Sequence, residues 1–182
     1  MEDQLILVDI YDNQIGTMGK AEAHRLGRLH RAFSIFIIKE EKMLIQKRRQ
    51  DKYHSGGLWA NACCSHPRDG ETLEHAVHRR LSEEVGFDCE LEELFHFTYR
   101  SKYAEDLYEY EYDHVFLGEY DGEVELNPEE VEDIAWITYD ELARELVEQP
   151  DKFSSWFQIA APGVLERLAF SAENRAAFGD IA

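Results

Sequence analysis

Two short stretches of this chain carry residue types that could do chemistry. In NACCSHPRDGE, residues 61–71, two cysteines stand just ahead of a histidine, a turn and an acid. In YEYEYD, residues 108–113, acids alternate with tyrosines. Successive side chains of an extended strand point to opposite faces. Cys64 and His66 therefore share one face and Cys63 and Ser65 the other. One cysteine can be core packing, as free cysteine commonly is, while its neighbour stands beside a histidine. The same rule groups Glu109 with Glu111 and sets Tyr108, Tyr110 and Tyr112 opposite them. Adjacent carboxylates repel unless water, a cation or a shared proton relieves them. An edge strand in water accounts for that pattern, and so does a metal. His24, His30 and His66 supply nitrogen donors; three imidazoles with two carboxylates would suit manganese, magnesium or zinc. The chain has no pair of cysteines at CxxC spacing, so a structural zinc site is not expected.

A third group lies in HRRLSEEVG, residues 78–86. Arg79 with Glu83 and Arg80 with Glu84 are i,i+4 pairs, for which surface ion pairing of a few tenths of a kcal/mol is the plain explanation. The net charge is −19, against which the grouped Lys47, Arg48, Arg49, Lys52, Arg79 and Arg80 form a candidate anion site. That charge argues against nucleic acid as a partner. Most of the acids clustered after Glu109 suit a solvated face. The three cysteines, at 63, 64 and 89, cannot build a disulfide framework, and a reducing cytoplasm is the expected setting. No run of about 18 apolar residues suggests a membrane span, and MEDQLILVDI does not read as a secretory signal.

The elements that must position these groups read as mixed α and β, with strands and helices interleaved. Strands are expected at Leu5–Val8, Ala32–Ile38 and Met43–Gln46, the last two joined as a hairpin by KEEK. Residues 11–16 read as a turn, 19–27 as a helical turn or loop, and 58–66 as one extended run before the turn PRDG. The clearest helix is TLEHAVHRRLSEEVG. Leu73, Val77, Leu81 and Val85 fall on one stripe there, and Gly86 sits where a helix ends in left-handed geometry. Further extended runs are expected near 94–100 and 108–120, a strand in VEDIAWITY, a helix in YDELARELVE and helical sequence from about 152. The length suits one domain over 1–182, an α/β sheet flanked by helices, with an N-terminal strand and a C-terminal helical extension.

Glu71, Arg79, Leu81, Glu83, Glu84, Gly86 and Phe87 resemble the Nudix box, G-x5-E-x7-R-E-U-x-E-E-x-G-U, with U apolar. In that family this loop and helix hold a divalent metal against a diphosphate. Two positions depart: Ser65 stands for the first glycine, and Arg80 for the glutamate after the arginine. The departures point to one branch, the type I isopentenyl-diphosphate isomerases. The chain is similar to that branch from about Leu5 to Phe170, through KAEAH (20–24), RLHRAF (28–33), QKRR (46–49), GGLWANACCSHP (56–67), HRRLSEEVG (78–86), FTYR (97–100), YEYEYDHV (108–115) and FSSWF (153–157). Ser155 departs from a usual proline.

The resemblance implies a Nudix-like α/β/α sandwich that interconverts isopentenyl and dimethylallyl diphosphate in isoprenoid biosynthesis. It implies that Cys64 and Glu111 are the proton-transfer pair, with Tyr99 beside the glutamate and Trp156 over the allylic carbons. It gives His24, His30, His66, Glu109 and Glu111 as ligands of one metal (Mn2+, Zn2+ or Mg2+) and Glu84 as ligand to a Mg2+ held with the diphosphate. Lys20, Arg49, Lys52 and Arg80 match positions that hold the diphosphate oxygens, so a hydrolase's acid has become a basic clamp at Arg80. The expected partner is this small diphosphate, with neither nucleic acid nor membrane. Two other readings remain beside it: a Nudix diphosphohydrolase using Glu71, Glu83 and Glu84, and a non-catalytic metal or redox module.

Overall fold

The run AFSIFII, residues 32–38, is apolar on both faces, which suits a strand covered on both sides. The computed structural model of the chain describes residues 3–52 and 54–178, with side chains through residue 172. Its strands are β1 (Gln4–Val8), β2 (Gln14–Gly19), β3 (His30–Lys39), β4 (Lys42–Arg48), β5 (Trp59–Asn61), β6 (Cys63–Ser65), β7 (Leu91–Ala104), β8 (Leu107–Glu119) and β9 (Val131–Thr138). Its helices are α1 (Lys20–Leu26), α2 (Leu73–Val85), α3 (Tyr139–Glu148) and α4 (Ser155–Phe178), with a 3-10 turn at Pro150–Lys152.

The strands form one mixed sheet in which β3 pairs antiparallel with β1, β4 and β6 and parallel with β8. Alternation along β3 divides the interior into two cores. Phe33, Ile35 and Ile37 pack with Val77, Leu81 and Val85 of α2. Phe36 packs on the opposite face with Phe153, Phe157 and Val164, the last two from α4. The sheet is thus held between α2 on one side and α3 with α4 on the other, an α/β/α sandwich. The stripe read on α2 is the buried one, its amide end is capped by Thr72, and Gly86 closes it at φ 77°.

A fork in this sheet makes the site. β3 and β4 pair only near their hairpin, from Ile37↔Leu44 to Lys39↔Lys42. Beyond that they diverge, and β5 follows β4 while β6 follows β3. Asn61 closes the fork: it is fully buried, and its amide donates to the carbonyl oxygens of Ile35 (3.2 Å) and Cys63 (2.5 Å). Such bonds offset the cost of burying an amide where two strands part.

Three expectations change. Residues 14–19 form a strand rather than the end of a turn; no residue of β2 is fully buried, and it carries no apolar alternation to announce it. The extended run 58–66 is two short strands divided at Ala62, because its halves pair with different neighbours. The run expected at 94–100 extends to Leu91–Ala104, in a long hairpin with β8. The segment 19–27 is helical, ended by Gly27 at φ 59°. No helix among the described residues is long and apolar enough to cross a membrane.

Candidate active site

The parallel pairing of β3 with β8 sets His30 against Glu111, and α1 lies close enough to bring His24 to Glu109. The loop after β6 delivers His66. Ligand atoms of His24, His30, His66 and Glu109 all lie within 4.8 Å of one another. His30 Nε2 is 3.3 Å from His66 Nε2 and 3.8 Å from Glu109 Oε2. Glu111 completes the group, accepting from His66 Nε2 at 2.8 Å and from the Tyr99 hydroxyl at 2.6 Å. The five residues proposed from sequence as one ligand set are therefore brought together. Their acids are buried, Glu109 at 2% and Glu111 at 8% exposure, which removes the edge-strand explanation of the alternation. Outside, Tyr108 and Tyr110 lie against Arg100.

The electrostatics fit a cation. Burial pushes His24 down to about 2 and His66 down to about 4, so both imidazoles are neutral, the form that binds metal. Burial also acts on His30, but its contacts with Glu111 and Glu109 raise it overall. Glu109 is raised by burial and by its neighbour Glu111, whereas hydrogen bonds from His30 and His66 hold Glu111 low despite burial. A divalent ion would relieve this crowding of acids. Three imidazoles with carboxylates fit such an ion.

The group forms one end of a cleft of ≈ 210 Å³ lined also by Lys20, Arg48, Lys52, Cys64, Arg80, Glu84 and Trp156. That is below the roughly 300–1,000 Å³ of drug-sized pockets, and it suits a small substrate better than a nucleotide. Cys63 and Cys64 part as strand alternation predicts: Cys63 is wholly buried in the core under α2, while Cys64 borders the cleft. Burial pushes the Cys64 thiol up to about 12, so at neutral pH it holds its proton. The indole N–H of Trp156 donates to Asn61 Oδ1 at 3.1 Å, which fixes the ring. The Arg48 guanidinium stands 5.1 Å from the centre of that ring and 3.8 Å from Cys64 Sγ. The ring face next to the thiol thus already accommodates a cation.

Glu84 is 4% exposed, accepts from Gln46 Nε2 at 3.1 Å and is bonded by Arg80. Lys52 and Arg80 both border the cleft and meet Glu130, a carboxylate that sequence reasoning did not select. Arg49 is the exception among the chosen cations. Its guanidinium binds Asp51 (2.8 Å) and the Pro128 carbonyl (2.8 Å), beside a separate shallow pocket. Arg48 occupies the cleft instead: it follows Gln46 along the same face of β4, while Lys47 between them pairs with Glu132 and Arg49 lies beyond the strand's end. Sequence reasoning also passed over His54, which meets Glu109 from a loop where no periodicity marks it. The nearest signal was the adjoining Gly pair: a Cβ on Gly56 would come within 2.4 Å of the Gln50 carbonyl oxygen, so that loop folds back tightly.

Of the hydrolase carboxylates only Glu84 borders the cleft. Both oxygens of Glu71 are held by Arg79, at 2.7 and 2.8 Å, and Glu83 pairs with Arg79 and Arg80 on the helix surface.

The NUDIX domain family matches residues 28–157. Isopentenyl-diphosphate Delta-isomerase 2 of Aromatoleum aromaticum is 46% identical over 178 residues, covering 97% of this chain and 94% of that protein. Its namesake in Photorhabdus laumondii is 50% identical over 159 residues, 87% of this chain and 90% of that one. A Deinococcus radiodurans protein of known crystal structure shares the fold, with a TM-score of 0.73 at 19% identity over 88% of this chain and 98% of that one. The sandwich, the box on α2 and these likenesses agree, and the chain belongs to the NUDIX domain family and, within it, to the isopentenyl-diphosphate Delta-isomerases.

Proposed function

We propose that this chain interconverts isopentenyl and dimethylallyl diphosphate, with Cys64 and Glu111 exchanging the protons. The observation that carries the reading is that the Cys64 thiol and the Glu111 carboxylate border one small cleft. The alkene is unactivated. A proton added to its terminal carbon leaves a tertiary cation, and loss of a proton from the neighbouring methylene completes the allylic double bond. Atoms and charge balance, and two acid/base groups suffice. Tyr99 donates to Glu111 and orients it. The fixed face of Trp156 stabilises the cation by ~2 kcal/mol or more when water is excluded, and it offers no nucleophile to trap it.

Lys20, Arg48, Lys52 and Arg80 hold the diphosphate, whose departure from the allylic product would otherwise compete. Glu84 would hold a Mg2+ with that diphosphate, and His24, His30, His66, Glu109 and Glu111 would hold the second ion. A bound cation there supplies charge that orders the two carboxylates and tunes their acidity.

Incubation with isopentenyl diphosphate and Mg2+ in D2O tests the reading. Deuterium in dimethylallyl diphosphate is the expected product. Release of phosphate or a monophosphate without isomerised product would replace the isomerase by a hydrolase.

A further inference from the structure

His54 is a buried histidine that the reaction above does not use; its side chain is 6% exposed. Its Nε2 lies 2.7 Å from Glu109 Oε1. The other oxygen of Glu109 faces the ligand histidines, 3.4 Å from His24 Nε2 and 3.8 Å from His30 Nε2. The carboxylate is therefore divided between the metal group and a residue outside it. His54 does not belong to the four converging ligand atoms, which come from His24, His30, His66 and Glu109.

The imidazole is held from three sides. Ser55 Oγ lies 3.2 Å from Nδ1. A hydroxyl donated to Nδ1 leaves the proton on Nε2, where it meets the carboxylate. Ser55 adopts φ 52°, an uncommon conformation outside glycine. The ring of Tyr103 stacks on the imidazole at 4.6 Å and 23°, and its hydroxyl bonds Ser155 Oγ at 2.5 Å. Ser155 opens α4, so the hold on His54 reaches the helix that carries Trp156, whose ring stands edge-on to the imidazole at 5.9 Å.

We propose that His54 is a positioning residue for the metal centre: its Nε2–H fixes Oε1 of Glu109 and thereby presents Oε2 to the ion. The inference rests on the ligand set read above. Outer partners of metal ligands typically contribute about 10–100-fold in affinity. A carboxylate freed from His54 can rotate its second oxygen away, and that freedom must be lost again on binding.

The test is titration of the metal-free chain with Mn2+ alone, with free Mn2+ read by electron paramagnetic resonance. His54→Phe keeps a ring against Tyr103 and removes the donor; it should weaken Mn2+ binding about 10–100-fold. His54→Ala should do the same. His54→Gln, whose amide can donate to the same oxygen, should recover most of the loss. Parental affinity in His54→Phe overturns the proposal, as does a glutamine variant no better than phenylalanine, which would put the loss in packing. His24→Ala serves as the control: if it binds Mn2+ like the parent, the ligand set itself fails.

Discussion

Cys63 and Cys64 are adjacent in sequence and belong to different chemistry. Cys63 is buried among apolar side chains under α2, with Glu84 as a polar neighbour, and burial raises its thiol far above the usual range. Cys64 borders the cleft beside Arg48. Cys64→Ser should lower turnover by about 10²–10⁴, whereas Cys63→Ser should lower stability and leave turnover within a few-fold. Steady-state rates of both variants, with circular dichroism as the folding check, decide it; the reverse pattern would reassign the strand by one residue. The neighbouring arginines divide in the same way. Arg48→Ala should raise the KM for the diphosphate by at least about tenfold, ~1.4 kcal/mol, while Arg49→Ala should leave it within twofold. Equal effects would remove the distinction drawn from which arginine borders the cleft. Alternation separated the cysteines correctly because β6 is regular. It would also set Arg48 with Gln46 and apart from Arg49, but the strand read from sequence stops at Gln46 and the structure carries it on to Arg48.

Among the elements, the loop between β6 and α2 has the most to position. It carries His66 and turns the chain into the helix. Glu71 clamps it, accepting from Arg79 at 2.7 and 2.8 Å and from the Arg68 amide at 3.0 Å. The Arg79 bonds are the main cause that lowers the Glu71 carboxyl from 4.5 to about 2. A depressed folded-state value means stability that is present above the unfolded value and lost as pH falls. The clamp should therefore act in full above about pH 4.5 and fade toward pH 2. Urea unfolding of the parent and Glu71→Gln should differ at neutral pH and converge near pH 2; a constant difference would contradict the assignment. The box spacing alone made Glu71 a metal-ligand candidate, and the structure makes it a loop anchor.

At this scale the long periodic elements were legible. α2 followed its apolar stripe and β3 its continuous apolar run, because burial imposes those patterns. Strand β2 was not legible, since nothing buries either face enough to write a pattern. The fork at Asn61 was hidden as well, because the choice of neighbour is a tertiary matter that composition does not record.

Across the whole molecule, the metal group ties together α1, β3, the loop after β6, and β8. An ion that binds only this assembled group stabilises the fold by about 2.7 kcal/mol at a hundredfold excess over its Kd. For a chain of this size that corresponds to a rise in Tm of roughly 5–10 °C. Thermal unfolding with Mn2+ and with a chelator measures it. An unchanged Tm in a preparation that demonstrably binds the ion would mean that the group does not brace the fold.

The pairing of His30 with Glu111 joins residues far apart in the chain, and this fixes an order of events during synthesis. The histidines at 24, 30 and 66 leave the ribosome first, and the two glutamates emerge only with β8. A chain stopped short of residue 109 therefore has three nitrogen donors and neither of these acids. Closing so long a loop costs entropy that only the completed sheet repays. The finished site, with its mixed donors, exists only once the last central strand has docked. Its preference among metals is therefore set only after translation has passed β8.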